Sequence, residues 1–204
     1  MTHLISHSIP ECMETFLSII VGIVLAAACG FRVFVPLLIL NLAALSGHFV
    51  LPEGFSWLGS TYATLAFTIA TLLEITGYYI SWIDNVLDTI AAPAAVIAGT
   101  ITTAAFATNL PPFLKWTAAL IAGGGTAGLI QASTVTLRAK TSLATGGGGN
   151  PLFSTFELGV SVFIALLAIF IPVLCLVLIA LFFLWVLRKA GGLLSGRFKN
   201  KQNN

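Results

Sequence analysis

Charge is scarce in this sequence: Lys, Arg, Asp and Glu make up 8% of its 204 residues, while hydrophobic residues make up 58%. Soluble domains carry about 25% charged residues, and a globule this poor in charge has too few solvated groups to cover its surface. A water-soluble enzyme or binding module is thereby excluded, and an integral membrane protein is expected. The length accommodates five or six spans of about 20 residues each and leaves almost nothing for a separate soluble domain.

Cysteine and histidine are scarce too. The three cysteines, Cys12, Cys29 and Cys175, are odd in number, and two of them sit inside apolar runs, so no disulfide framework is implied. The three histidines are His3, His7 and His48. No Ser/His/Asp or Cys/His set can be built from them, which argues against nucleophilic hydrolysis. His3, His7 and Cys12 lack a matching second pair of ligands, so no metal is expected. The glycine run "TGGGGNP" (145–151) has neither the Lys-Ser/Thr ending nor the preceding strand of a phosphate loop. The expectation is therefore no enzyme, no cofactor and no nucleic-acid partner.

Nor do the first 15 residues contain a lysine or arginine. The segment "LAAAC" (25–29) resembles a lipoprotein box, yet the apolar character runs on to Leu45, whereas a signal's apolar stretch ends near its cut. An uncleaved first membrane segment is expected. Basic residues gather instead at the other end, where Arg188, Lys189, Arg197, Lys199 and Lys201 crowd the last 17 residues and mark a cytoplasmic tail.

What is present is apolar length. Five blocks stand out, about 16–46, 58–80, 86–108, 113–137 and 158–187, between a polar N-terminal tail (1–15) and the basic tail (188–204). At 1.5 Å per residue the middle three each span roughly 30 Å of hydrocarbon. The outer two are longer and contain Pro36 and Pro172. Each is a kinked helix or a pair of shorter pieces. The fold class is all-α, a single polytopic transmembrane bundle of five to six segments. Broken or re-entrant helices are expected between Gly30 and Pro36 and over 145–157, with Gly147, Pro151 and Pro172 as further break residues. Two topologies fit: five crossings with the N-terminus outside, or a re-entrant last block that keeps 138–157 on the cytoplasmic side.

Against this background the few charges are informative. Arg32 stands inside "LAAACGFRVFVPLLIL", where an unpaired arginine costs from about 3 to more than 10 kcal/mol and so needs a carboxylate, a broken helix end or a water cavity. Its candidate partners are Glu74, Asp84, Asp88 and Glu157. Glu74 lies four residues before Tyr78, in an aromatic belt with Tyr79 and Trp82. It either meets Arg32 or reaches the interface. Asp84 and Asp88 share a helical face, as a cation site needs, and equally decorate a helix N-terminus, with Asp84 as a candidate cap. The stretch from Arg138 to Glu157 is the longest non-apolar one and reads as a surface loop or a re-entrant segment holding Asn150. "GGGTAG" (123–128), with Gly99 and Ala104, reads as a small-residue packing surface.

These segments also resemble a family. "CGFRVFVPLL", "LLEITGYYISWIDNVLD", the glycine-rich stretch at 123–128, "LRAKTSLATGGGGNPLFSTFE" and the Pro172 block are similar, in order, to the signature segments of a bacterial integral-membrane family catalogued as domain-of-unknown-function family 4126. The resemblance covers nearly the whole chain. It implies a Gly-x-Arg-then-Pro element, a Glu and Asp pair, and an Arg, Gly-x-x-Asn-Pro, Ser and Glu series. These fall on Gly30, Arg32, Pro36, Glu74, Asp84, Arg138, Gly147, Asn150, Pro151, Ser154 and Glu157. Family members often carry an Asp-Lys pair where this chain has "GYY" (77–79), which argues against an ion pair at that turn. No activity comes with the resemblance.

Two functions follow as expectations. One is a small secondary transporter or permease of the inner (plasma) membrane, with Arg32, Glu74, Asp84, Asp88, Arg138, Asn150 and Glu157 binding a small solute or ion. The other is a structural or accessory membrane protein, binding lipid, another subunit or a second copy of itself, in which Arg-to-carboxylate pairs fix helix packing.

Overall fold

The computed structural model describes residues 2–48, 50–146 and 148–171, together with Leu174, Val177 and Leu181; the side chains of 2–14, 81, 82, 84 and 85 fall outside that description. Every element in it is helical. In chain order these are α1 (Thr2–Phe31), α2 (Phe34–Leu45), a short 3-10 helix (Glu53–Gly59), α3 (Thr61–Tyr78), α4 (Ser81–Phe106), α5 (Pro112–Ala118), a π-helical segment (Ala119–Gly124), α6 (Gly125–Thr145) and α7 (Asn150–Phe170). Gly147, Pro172, the far end of the 158–187 block and the basic tail lie outside the described residues.

Three stretches are long and apolar enough to cross a membrane: Val86–Phe106, Pro112–Thr145 and Asn150–Phe170. A fourth is formed if the 3-10 helix and α3, bent by 56°, count together. Thr15–Phe31 and Phe34–Leu45 are apolar but shorter. The count of full-length spans among the described residues is thus three or four, where five to six segments were expected. The 16–46 block divides at Arg32 and Val33, the 58–80 block counts only together with the 3-10 helix, and most of 172–187 lies outside the described residues.

α1 is the central helix. Residues 24–29 have no exposed surface at all, the pattern of a helix buried on every side. Its helical conformation starts at Thr2, so the expected N-terminal tail is an extension of the same helix rather than a separate piece. α4, α6 and α7 pack around it, and α2 packs on α3 and α7. The outer faces carry Leu65, Ile69, Leu72, Ile97, Leu129 and Phe163, all more than two-fifths exposed, as a surface solvated by lipid requires.

Small residues allow the close approaches. A Cβ placed on Gly123 would lie 2.1 Å from Thr103 Oγ1 and 2.4 Å from the Gly99 carbonyl, and one on Gly99 would lie 2.8 Å from the Gly123 carbonyl. The expected packing surface is therefore real, and it coincides with the π-helical segment, whose wider turn carries Gly123 and Gly124 against α4. Gly30 acts in the same way. It remains helical within α1, and a Cβ there would meet the Ala127 carbonyl at 2.6 Å. Its role is contact with α6 rather than the helix break assigned to it from sequence.

The break itself falls at Arg32 and Val33. Pro36 is the third residue of α2, where the first-turn N–H groups have no intrahelical acceptor in any case, so its missing donor costs nothing. Pro151 is the second residue of α7, likewise within the first turn. The expected loop from Arg138 to Glu157 contracts to residues 146–149: α6 runs on to Thr145, Gly146 ends it at φ +62°, and α7 begins at Asn150. Asp84 does not cap α4, which starts at Ser81 with Ile80 as its N-cap.

Gly123→Ala is expected to lower the melting temperature of the detergent-solubilised protein by separating α4 from the π-helical segment, at a cost of about 1–3 kcal/mol. Gly125→Ala, at a helical position with nothing within 4 Å, is the control and should be neutral or stabilising.

Candidate charged site in the bundle

The helix break creates the site. Where α2 starts, its first N–H groups have no partner within the helix, and no side chain of α2 caps them. Glu74 of α3 does so from across the bundle: Oε1 accepts from Val33 N at 2.7 Å and Oε2 from Phe34 N at 3.1 Å. A carboxylate at a helix N-terminus is favoured by both the open donors and the macrodipole. Glu74 is 5% exposed, so it does not reach for the interface.

Arg32 sits on the other side of the same break and is 1% exposed. Its Nη2 donates to the Ser154 carbonyl at 3.0 Å and to Ser154 Oγ at 2.5 Å, and stands 3.5 Å from Glu157 Oε2. Among the proposed carboxylates whose side chains are described, Glu157 is the one it pairs with. Arg138 of α6 bonds the same Oε2 and also donates from Nη1 to Asp88 Oδ1 of α4 at 2.8 Å. One carboxylate oxygen of α7 is shared by two guanidinium groups. Beneath both lies the Tyr78 ring, with the guanidinium carbons 3.9 Å (Arg32) and 4.3 Å (Arg138) from its centroid.

Depth follows from helix geometry. Glu157 is seven residues into α7, Asp88 seven into α4, and Arg138 seven from the end of α6. At 1.5 Å per residue each lies about 10 Å from its helix end. The three agree because the helices share one end of the bundle, and the cluster is buried within that end. Arg32 Nε and Nη1 and Glu157 Oε1 are buried there with no hydrogen-bond partner among the described residues. Beside the cluster, between the break, α3 and α4, is a cavity of about 280 Å³. Its lining is almost wholly apolar and includes Val33, Phe34, Leu87 and Ala91 together with Glu74 and Tyr78.

The structure thus brings together Arg32, Glu74, Asp88, Arg138 and Glu157 of the residues singled out from sequence. Asn150 is buried but accepts from Ser142 Oγ at 2.7 Å, joining the end of α6 to the start of α7. It belongs to the turn. Asp84 is on the first turn of α4, with its side chain outside the description. Tyr78 was read as an interfacial marker, and its part in the cluster was missed; its spacing of four from Glu74 on one helix was the available signal. Ser154, three residues before Glu157, shares that face of α7. Among the described residues no group of three or more His, Cys, Asp or Glu side chains is placed to hold a metal ion.

An all-helical bundle with membrane-length apolar helices and a buried set of arginines and carboxylates defines the class: a helical protein of membrane type. The chain belongs to the family described as Domain of unknown function (DUF4126), whose profile matches residues 19–190. No curated protein and no solved structure matches it.

Glu74→Ala should destabilise the protein by about 3 kcal/mol, since two hydrogen bonds to a charged acceptor are lost and two buried N–H groups are stranded. Glu74→Gln, which keeps one acceptor oxygen, should lose about half as much. Thermal unfolding in detergent micelles reads both.

Proposed function

We propose that this chain is a small carrier or permease of the inner (plasma) membrane, with the Arg32, Glu157 and Arg138 cluster as its polar site. The observation that supports the reading is the incomplete bonding of a charged group at a broken helix. Arg32 has two nitrogens, and Glu157 one oxygen, that are buried and unmatched among the described residues. A clamp that exists for stability would complete these bonds, because an unmatched buried polar group costs about 1–3 kcal/mol. Polar breaks at membrane depth are where secondary transporters bind solutes and ions.

In this reading the two short apolar helices on either side of Arg32 form one discontinuous span, which, with the bent pair taken as a fourth, brings the number of segments to five. The basic tail is cytoplasmic. The ligand is a small solute or ion able both to accept from Arg32 and to donate to Glu157. The role is that of a carrier and not an enzyme, since no nucleophile and base pair can be drawn from the sequence.

A second reading has its own support. The side-chain hydrogen bonds of Arg32 and Glu74 join segments far apart in sequence, as a clamp fixing α2 and α7 to the centre would. Replacing a buried ion pair by apolar residues of similar size is often neutral for stability. The pair of substitutions Arg32→Met and Glu157→Leu therefore separates the two. The carrier reading expects a folded protein whose solute-dependent flux in proteoliposomes, or whose cellular phenotype, falls at least tenfold. Full retention of both by the folded double variant would leave the clamp as the function.

A further inference from the structure

The hairpin of α3 and α4 is closed near its turn and open below it. Near the turn a Cβ on Gly77 would lie 2.4 Å from Leu87 Cδ1, so the two helices are in direct contact there. Further along, the facing positions are alanines: Ala70 on α3, and on α4 Ala91 and Ala94, which are three apart and so share a helical face. Side chains this short leave the space between the helices unfilled, and the cavity of about 280 Å³ lies there.

Shape and lining say what fits. The lining runs from Ala70 to Tyr78 on α3 and from Leu87 to Ala94 on α4. At 1.5 Å per residue these stretches make a slot about 10–12 Å long, most of the roughly 15 Å of hydrocarbon in one leaflet. Spread over that length, the volume gives a mean cross-section of roughly 25 Å², room for one extended hydrocarbon chain. The inner wall, with Val33 and Ala91, is buried, whereas Leu73 and Ile90 at the rim are 65% and 59% exposed. The slot therefore opens sideways, onto the outer face of the bundle that lipid solvates. Glu74 contributes little polar surface to it, because its oxygens are turned to Val33 N and Phe34 N. A space lined almost wholly by apolar atoms offers water no partners and takes up hydrocarbon instead. A helix of a second copy, about 10 Å across, would rest on the rim without filling it.

We propose that this slot binds one acyl chain of a membrane phospholipid, which lies against the break between α1 and α2 and seals it from water. Val33 and Phe34, whose N–H groups Glu74 caps, form part of the wall. A chain seated there keeps water from the two hydrogen bonds that hold the start of α2, and such bonds are stronger in a dry, low-dielectric setting. Recognition is by shape and apolar contact, with the headgroup outside the slot. The site stands apart from the carrier reading, and neither depends on the other.

The test places the full chain in vesicles of phosphatidylethanolamine and phosphatidylglycerol that include a phosphatidylethanolamine with a diazirine on its acyl chain. After photolysis the label is mapped by peptide mass spectrometry. It is expected to concentrate on Leu73, Ile90 and Ala94, above the level on the exposed Leu129 of α6. In Ala94→Leu and in Ala70→Leu, which fill the slot from either side, it should fall to the Leu129 level. Label spread evenly over the outer faces, or unchanged in both variants, overturns the proposal. Cross-linking of two copies through Leu73 or Ile90 overturns it too, since a second chain would then cover that face. Melting temperature in detergent separates filling from misfolding. Phospholipid added to the delipidated parent should raise it by about 3 °C or more. In Ala94→Leu, whose leucine takes the place of the chain, that rise should be lost while the starting value is no lower than the parent's. A parent without the rise, or a rise of equal size in Ala94→Leu, overturns the assignment. Ala132→Leu, on the exposed face of α6, is the control and should keep both the label and the rise.

Discussion

A guanidinium group cannot be left alone in an apolar interior, and much of this bundle is arranged around that constraint at Arg32. Desolvation of a cation is tolerable only where an anion and hydrogen-bond acceptors surround it. Glu157 and Ser154 therefore come from α7, and the Tyr78 ring from α3. The second arginine is drawn to the same carboxyl group and brings Asp88 with it, linking α6 and α4. Four helices besides α1 are thereby committed to one point about 10 Å from the end of the bundle.

The helix break and the charge are two sides of one arrangement. Ending α1 at Phe31 opens N–H groups at the start of α2, which would be as costly in hydrocarbon as an unpaired side chain. Glu74 answers that need with both oxygens. Division of labour among the carboxyl groups follows: one caps a helix, one bridges two arginines, and one faces the less buried side. Convergence of so many helices also needs thin contacts elsewhere. Gly30 against α6, and Gly99 against Gly123 in the π-helical segment, supply them.

Polar tethers repeat on a smaller scale away from the cluster. Asn41 on α2, with no exposed surface, donates to the carbonyls of Leu58 and Ser60 and accepts from Thr64 Oγ1. It holds the 3-10 helix and the start of α3 to α2 as the arginines hold the other end. Buried polar groups in this chain are largely devices for fixing one element against another. Among the described residues the unmatched atoms of Arg32 and Glu157 depart from that rule, as do the hydroxyls of Thr71 and Thr103, and the functional reading rests on the charged pair.

Class and membrane-length helices were legible because they depend on local quantities: scarcity of charge, runs of apolar residues, and a proline near an arginine. The same quantities singled out Arg32, Glu74, Asp88, Arg138 and Glu157, because an ionisable residue in an apolar run is conspicuous wherever it ends up. Pairing was not legible, since it depends on which residues of separate helices arrive at equal depth. Arg32 meets Glu157 across 125 positions rather than Glu74 across 42, and Asn150 is taken by a turn. Boundaries in the polar stretch from 138 to 157 were also hidden. Its polarity reads as loop, yet helix α7 starts at Asn150 because Glu157 and Ser154 find buried partners that offset their desolvation. The sequence by itself determined that this chain is an apolar helical bundle with a few costly charges inside; tertiary structure alone decided which charges neutralise one another, because that is set by packing depth and not by spacing along the chain.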